Sequence, residues 1–458
     1  MDFEKNVKKV MPMFLLVMIL NVAMIGVFNI LGPTLATEFG MSSVTVSLMP
    51  MIAMLGVGIA GVVYAALSDY ISMRKLMVVG IIMMDVGAIL AFLLVNVNAN
   101  FYLLLVAIAI LSLGGSCSAS LLIILVTRYL PANECPKYYG YSSACIGLGQ
   151  ALGFLVGGVV ITYVDWRYVF VLPLLSIIAI HSIVKYIPDE CHGKVKKVDI
   201  LGLLLLTSFA LSISLYFNMS DWRYLVGAII VLVVFLIYIS KGQNKIMSID
   251  FFKNRGFLVV TLLAIVVFGI QLSFSFLMSF TIKAVYKITP DKISLILLPS
   301  YIVVIIVGAN VGRIVNKLGT YKTMYTALGA IIVCMLGGSV LIDKNIFVAA
   351  IIACLVAGLY ALPYTAFMQV VISTLKPEQM GTGVGVFTLI KGIGQSVMIV
   401  VTGKLISLQI MHLDLHLVAK NASVFSNIMI VFGIALMLAL VVLSIQMKKG
   451  NVKINQNT

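Results

Sequence analysis

Apolar runs of roughly 20 residues, each closed by a short polar or charged turn, recur along this chain from residue 11 to residue 446. An α-helix of that length crosses the ~30 Å hydrocarbon core of a bilayer. The pattern predicts 14 spans, at 11–35, 47–67, 74–95, 101–127, 139–162, 168–187, 199–218, 222–240, 257–282, 292–313, 321–342, 346–374, 383–407 and 424–446. They are numbered spans 1 to 14 below. The fold class expected is an all-α polytopic membrane protein with no appended soluble domain.

Composition agrees with that reading, and charge refines it. Of the 458 residues, 62% are hydrophobic and only 10% charged, with a mean hydropathy of +1.15, more apolar surface than a soluble chain can bury. A net charge of +15 could indicate a nucleic-acid partner, but topology accounts for it. With the N-terminus inside, 22 of the 31 Lys and Arg residues fall in cytoplasmic segments, from Lys5, Lys8 and Lys9 to Lys448, Lys449 and Lys453. Seven fall outside: Arg167, Arg223, Lys283, Lys287, Lys292, Lys344 and Lys420. Both termini are therefore expected on the cytoplasmic side of a bacterial plasma membrane, with no nucleic-acid partner. The first run is too long for a signal-peptide core and is expected to stay in the mature protein.

The six cysteines, at 117, 135, 145, 191, 334 and 354, show no metal or redox spacing and read as small packing residues. His412 and His416 are four apart with Asp414 between them, too few ligands for a metal site. No nucleophile–base pair or phosphate loop marks an enzyme, and no cofactor is expected.

A half-repeat organises the chain. Leu130-Pro131, Gly140 and Gly149-Gln150 return as Lys376-Pro377, Gly385 and Gly394-Gln395, offset by 245 or 246 residues. That offset fits six spans plus an inserted pair. It divides the chain into a first bundle (1–190), an inserted pair, spans 7 and 8, with basic flanks (191–256), a second bundle (257–447) and a tail (448–458).

Three motifs carry information beyond topology. Spans 2 and 3 are joined by Leu67-Ser68-Asp69 and, five residues on, Arg74-Lys75; an acid there can accept exposed N–H bonds or pair with a base. A related junction follows span 10, with Gly312, Arg313, Asn316, Lys317 and Gly319. Span 5 carries a glycine stripe, Gly149, Gly153, Gly157 and Gly158, followed by Asp165-Trp166-Arg167. Such a stripe permits close helix contact.

These residues resemble the major facilitator superfamily. Leu67, Ser68, Asp69, Arg74 and Lys75 match its loop motif Gly-x-Leu-Ala-Asp-Arg-x-Gly-Arg-Lys, with Ala65 and Ser72 in place of its glycines. In the second half Gly312, Asn316, Lys317 and Gly319 match, with Asn316 in the aspartate's place. The span-5 stripe is similar to the antiporter motif Gly-x3-Gly-Pro-x2-Gly-Gly, with Phe154 replacing the proline. With 14 spans, the Asn29-x3-Pro33 pair and the Thr127-Arg128-Tyr-Leu-Pro131 exit of span 4, the chain resembles the 14-helix drug:proton antiporters, in particular the Gram-positive tetracycline-efflux proteins. The resemblance implies two six-helix bundles plus two extra transmembrane helices, a monomer in the lipid bilayer, and proton-coupled export of an amphipathic small molecule.

The chain departs from that pattern at the coupling residues. Ile108 and Leu111 stand where the resemblance implies an arginine and a glutamine, and Ile25 where it implies a membrane-embedded acid. Proton coupling needs a titratable group whose pKa responds to conformation. Mid-span, the sequence offers Asp85 in span 3 and Lys391 in span 13, with Lys404 nearer that span's outer end. Asp85 reads either as a proton carrier or as a buried acid hydrogen-bonded to a neighbouring helix. Lys391 reads as an anion-binding or gating charge.

Candidate substrate groups are Asn21, Asn29, Ser112, Ser116, Ser120 and Gln150 in the first half, and Gln271, Ser275, Tyr360, Tyr364 and Gln369 in the second. Two other functions remain open. One is an uncoupled facilitator or exporter of a metabolite or lipid, consistent with Ile25, Ile108 and Leu111; the other is a non-transporting sensor on the same scaffold.

Overall fold

The computed structural model describes residues 3–38, 40–68, 71–97, 100–130, 135–187, 189, 200–240, 254–375, 380–408, 418–419 and 421–448. Its helices follow the predicted spans. Span 1 is Phe3–Glu38, span 2 Ser43–Leu67, span 3 Met73–Asn96, span 5 Cys135–Tyr163, span 7 Ile200–Met219 and span 8 Trp222–Ser240. In the second half, spans 9 to 14 are Arg255–Tyr286, Pro290–Leu318, Thr320–Leu341, Ile346–Ser373, Met380–Leu408 and Ser423–Lys448. Among the described residues 13 helices are long and apolar enough to cross a membrane, and Leu204–Met219 in span 7 is a shorter apolar helix, which gives 14.

Two spans depart from the continuous helices expected. Span 4 is broken at Ser116 into Phe101–Gly115 and Cys117–Tyr129. Two glycines weaken the helix there, and the Ser116 hydroxyl shares the Ser112 carbonyl with the Ser116 N–H, at 2.6 and 3.2 Å. Span 6 begins as a 3-10 helix, Trp166–Ser176, and continues as α-helix, Ile177–Tyr186. Pro173 lies inside the tighter part, where it supplies no N–H to an α-helical ladder.

Packing reproduces the half-repeat in space. In the first bundle span 5 packs on span 1, span 4 on spans 2 and 3, and span 6 on span 3. In the second bundle span 13 packs on span 9, span 12 on spans 10 and 11, and span 14 on span 11. The seam between bundles consists mainly of span 2 against span 13 and span 5 against span 10, a pair of contacts that the repeat interchanges. Spans 7 and 8 pack on each other, and span 7 touches both span 13 and span 2, so the inserted pair borders the seam.

Span 3 shows how a single helix sorts its faces. Val79, Ile82, Val86, Leu90 and Leu93 form an exposed apolar stripe at helical spacing, as a lipid-facing surface requires. Gly80, Met84, Asp85, Gly87 and Ala88 are buried on the opposite side. Asp85 therefore points into the bundle rather than into lipid.

Candidate functional site

The seam is tightest at the end opposite the N-terminus, here called the far end. On span 5, a Cβ at Gly158 would collide with the Ser294 hydroxyl of span 10 and lie 2.9 Å from the Pro290 carbonyl oxygen. On span 13, a Cβ at Gly403 would lie 2.7 Å from the Ser43 carbonyl oxygen and 3.0 Å from the Ser47 Cβ of span 2. Gly158 and Gly403 are separated by the repeat offset, so the two closures are counterparts.

Hydrogen bonds reinforce them. The Ser43 hydroxyl donates to the Gly403 carbonyl at 2.8 Å. Tyr163 Oη donates to Asp291 Oδ2 at 3.0 Å, and the Asp291 backbone N–H donates to Thr162 Oγ1 at 3.1 Å. Lys283 of span 9 reaches across to span 1, donating to the Pro33 carbonyl at 3.0 Å and to Thr37 Oγ1 at 2.8 Å.

Midway along the seam the bundles still touch. Phe154 and Tyr301 stack with centroids 4.9 Å apart, and a Cβ at Gly392 would lie 3.2 Å from the Gly58 Cα. Nearer the N-terminal end the contacts among the described residues thin out. Among those residues Gly308 and Gly312 meet nothing within 4 Å, and a Cβ at Gly385 would find only Val62, at 3.9 Å.

The remaining glycines of the span-5 stripe hold the first bundle together. A Cβ at Gly149 would lie 2.8 Å from the Ile19 carbonyl oxygen, and one at Gly153 would overlap the Ala23 carbonyl oxygen. Gly394, the repeat counterpart of Gly149, meets Ile265 of span 9 at 2.8 Å in the same way. The stripe therefore has two faces: Gly149, Gly153 and Gly157 against span 1, Gly158 against the other bundle.

At the junction of spans 2 and 3, Asp69 lies outside the described residues. The partner of the junction's basic end is Asp189, just beyond span 6: Lys75 Nζ stands 3.2 Å from its Oδ2, and the Ser72 hydroxyl donates to its Oδ1. Ser72 also caps span 3 by accepting from the Lys75 N–H at 3.4 Å. The Ser72 hydroxyl and the Lys75 ammonium hold the exposed Asp189 carboxyl below its ordinary value. That link is complete above the ordinary carboxylate pKa and is lost as the pH falls through the depressed folded-state value. In the second junction Arg313 and Lys317 are exposed, and among the described residues Arg313 reaches only Asn310, at 3.4 Å. The Asn316 side chain lies outside the described residues. Gly319 ends span 10 with φ +83°, a left-handed conformation that favours glycine.

The intramembrane charges occupy different places. Asp85 accepts a hydrogen bond from the Ser176 hydroxyl at 2.8 Å, at the point where span 6 changes from 3-10 to α-helix. It sits between spans 3 and 6, behind the helices of the seam. Lys391 Nζ lies 4.8 Å from the Tyr364 ring centre and 5.6 Å from that of Phe268, between spans 13, 12 and 9. Lys404, near the far end of span 13, donates to the Ser220 hydroxyl in the turn between spans 7 and 8.

The candidate polar groups separate into clusters. Asn21 lies against Gly115 at the break in span 4, and Ser112 touches Gly56 of span 2, so Asn21 and Ser112 lie where spans 1, 2 and 4 converge. The Ser120 hydroxyl is spent on the Ser116 carbonyl. Asn29 is buried and its Oδ1 finds no partner among the described residues. Gln150 and Gln271 are half-buried, and Ser275 hydrogen-bonds Tyr301. Tyr364 stands beside Lys391, with Tyr360 one turn before it on span 12, whereas Gln369 accepts from Thr320 at 2.7 Å. His412, Asp414 and His416 lie outside the described residues, as do Cys191 and the side chain of Cys135. Phe268, Asp189, Ser176 and Gly403 were not among the candidates. Gly403 could have been found by adding 245 to Gly158; the other three have no marker in a single sequence.

Comparison with known proteins matches this geometry. The Major Facilitator Superfamily profile matches residues 14–399. The chain is 23% identical over 320 residues to the riboflavin transporter RibZ of Clostridioides difficile (strain 630), covering 69% of each chain. It is 22% identical over 400 residues to the quinolone resistance protein NorB of Staphylococcus aureus (strain bovine RF122 / ET3-1), covering 83% of each. A crystal structure of peptide transporter POT in complex with sulfate shares the fold, with a TM-score of 0.69 at 13% identity over 99% of this chain and 100% of that one. The chain belongs to the major facilitator superfamily. It is a multi-pass membrane transporter, not an enzyme.

Proposed function

We propose that this transporter exports amphipathic small molecules by alternating access, in exchange for protons. The paired closure of the far end supports the reading most directly. Gly158 on Ser294 and Gly403 on Ser47 seal one end while Gly308 and Gly312 at the other meet no neighbour among the described residues. If the basic turns face the cytoplasm, the conformation is open inward, ready to load from the cell interior. The relative named for quinolone resistance favours a drug as cargo, and a tetracycline-like molecule fits the sequence resemblance. Asp85 is the proton-bearing group in this scheme. It is the one carboxylate midway along a span among the described residues, and its bond to Ser176 couples span 3 to the helix transition in span 6.

One observation favours a second reading, an uncoupled facilitator or exporter. Asp85 faces span 6 rather than the seam, and Ile25, Ile108 and Leu111 are all buried apolar residues. Everted vesicles separate the two. Proton-coupled export predicts substrate uptake when the vesicle interior is acid, loss of that uptake with a protonophore, and at least a tenfold loss in Asp85→Asn. Gradient-driven uptake unchanged in Asp85→Asn removes Asp85 from the scheme; uptake indifferent to the protonophore selects the uncoupled reading.

A further inference from the structure

We infer that Lys391 is the docking point for the negative charge of an organic anion with a planar aromatic body. The inference rests on the transport reading above and narrows its cargo to a substrate class. A lysine midway along a span is tolerated when it is paired or faces a watery or ligand-filled space. None of the ion pairs among the described residues includes Lys391. Its only close electrostatic partners there are two ring faces, Tyr364 at 4.8 Å and Phe268 at 5.6 Å. Rings stabilise an ammonium through their quadrupoles but leave its net charge uncompensated.

The surroundings suit an aromatic anion better than a bare ion. Phe268 meets Tyr364 edge-on with centroids 5.8 Å apart and Phe367 at 5.5 Å, a preformed corner of rings from spans 9 and 12. A planar body can pack against that corner while its charge meets the ammonium. One turn before Tyr364 on the same face stands Tyr360, 1% exposed, whose hydroxyl has no hydrogen-bond partner among the described residues. An unpartnered buried hydroxyl is costly, and an acceptor on a ligand would satisfy it. Gln271, half-buried, lies three residues beyond Phe268 on span 9 and adds an amide on the same side. The neighbouring Gly392 touches Gly58 of the first bundle, so a molecule bound at Lys391 lies beside the seam that must move.

The test uses the purified full-length protein and three matched probes: 2-naphthoate, its neutral amide, and the cation 2-naphthylmethylammonium. Equilibrium binding is expected to favour the naphthoate over the amide at least tenfold in the wild type, with the cation weakest. Lys391→Met should lower naphthoate affinity at least tenfold and leave amide affinity within twofold; Lys391→Arg should keep the preference. Equal wild-type affinity for acid and amide, or no saturable naphthoate binding, overturns the inference without any variant having to fold. Undiminished naphthoate binding in a Lys391→Met protein that unfolds at the wild-type temperature also overturns it. Flux in proteoliposomes is scored separately. Export of a drug without acid preference sinks only this inference, whereas Lys391-dependent binding without flux of any probe supports the site and sinks the transport reading.

Discussion

Oxidising a Thr162→Cys/Asp291→Cys double variant, built in a background without the six native cysteines, will stop transport, and reducing it will restore the rate. These two residues touch across the seam: the Asp291 N–H donates to Thr162 Oγ1 at 3.1 Å, and Thr162 donates back to Asp291 Oδ1 at 3.4 Å. Cysteines placed there are within reach of each other only while the far end is closed, because a disulfide bridges Cα atoms no more than about 7 Å apart. Release of cargo at the far end requires spans 5 and 10 to separate, so the cross-link should cut turnover at least tenfold. The reduced variant controls for loss of the native side chains. Quantitative cross-linking with full turnover would show that the two ends do not alternate.

The second large effect is structural. Gly153→Val should destabilise the folded transporter by about 1–3 kcal/mol, the usual range for overpacking, because the clash is with the Ala23 backbone rather than with a movable side chain. Gly308→Ala is the control: its added methyl meets nothing within 4 Å among the described residues, so thermal unfolding should stay unchanged or rise slightly, as alanine favours a helix interior. Equal unfolding temperatures for the two variants would mean that spans 1 and 5 are not packed as closely as described.

The contrast between those glycines shows what a single sequence reveals and what it hides. Both belong to helices that hydropathy alone predicts, and the fold class was legible because a bilayer imposes length and polarity on every span. The half-repeat was legible too. Gly149 and Gly394 recur 245 residues apart and pack on spans 1 and 9 in equivalent ways. Nothing in the residues themselves distinguishes Gly153, pressed against a backbone, from Gly308 in open space.

Charges were located more readily than their partners. Asp85, Lys75 and Lys391 stand out in an apolar chain, but Ser176 lies 91 residues from Asp85, and Asp189 lies 114 from Lys75. Phe268 looks like any other apolar span residue until the packing of spans 9 and 13 sets it beside Lys391. Gln369 shows the converse. Its amide suggested a binding role, yet local geometry gives it to Thr320 at the start of span 11.

Alternation of the two ends is the central claim, and distances between exposed spin-labelled sites test it most directly. Val164 and Phe347 flank the far end on opposite bundles, and Ile71 and Leu318 flank the near end. Pulsed electron resonance on the two pairs, with and without a transported drug under a proton gradient, should show the far-end distance lengthening as the near-end distance shortens. Distances that stay fixed in both pairs while the drug is being transported would contradict it.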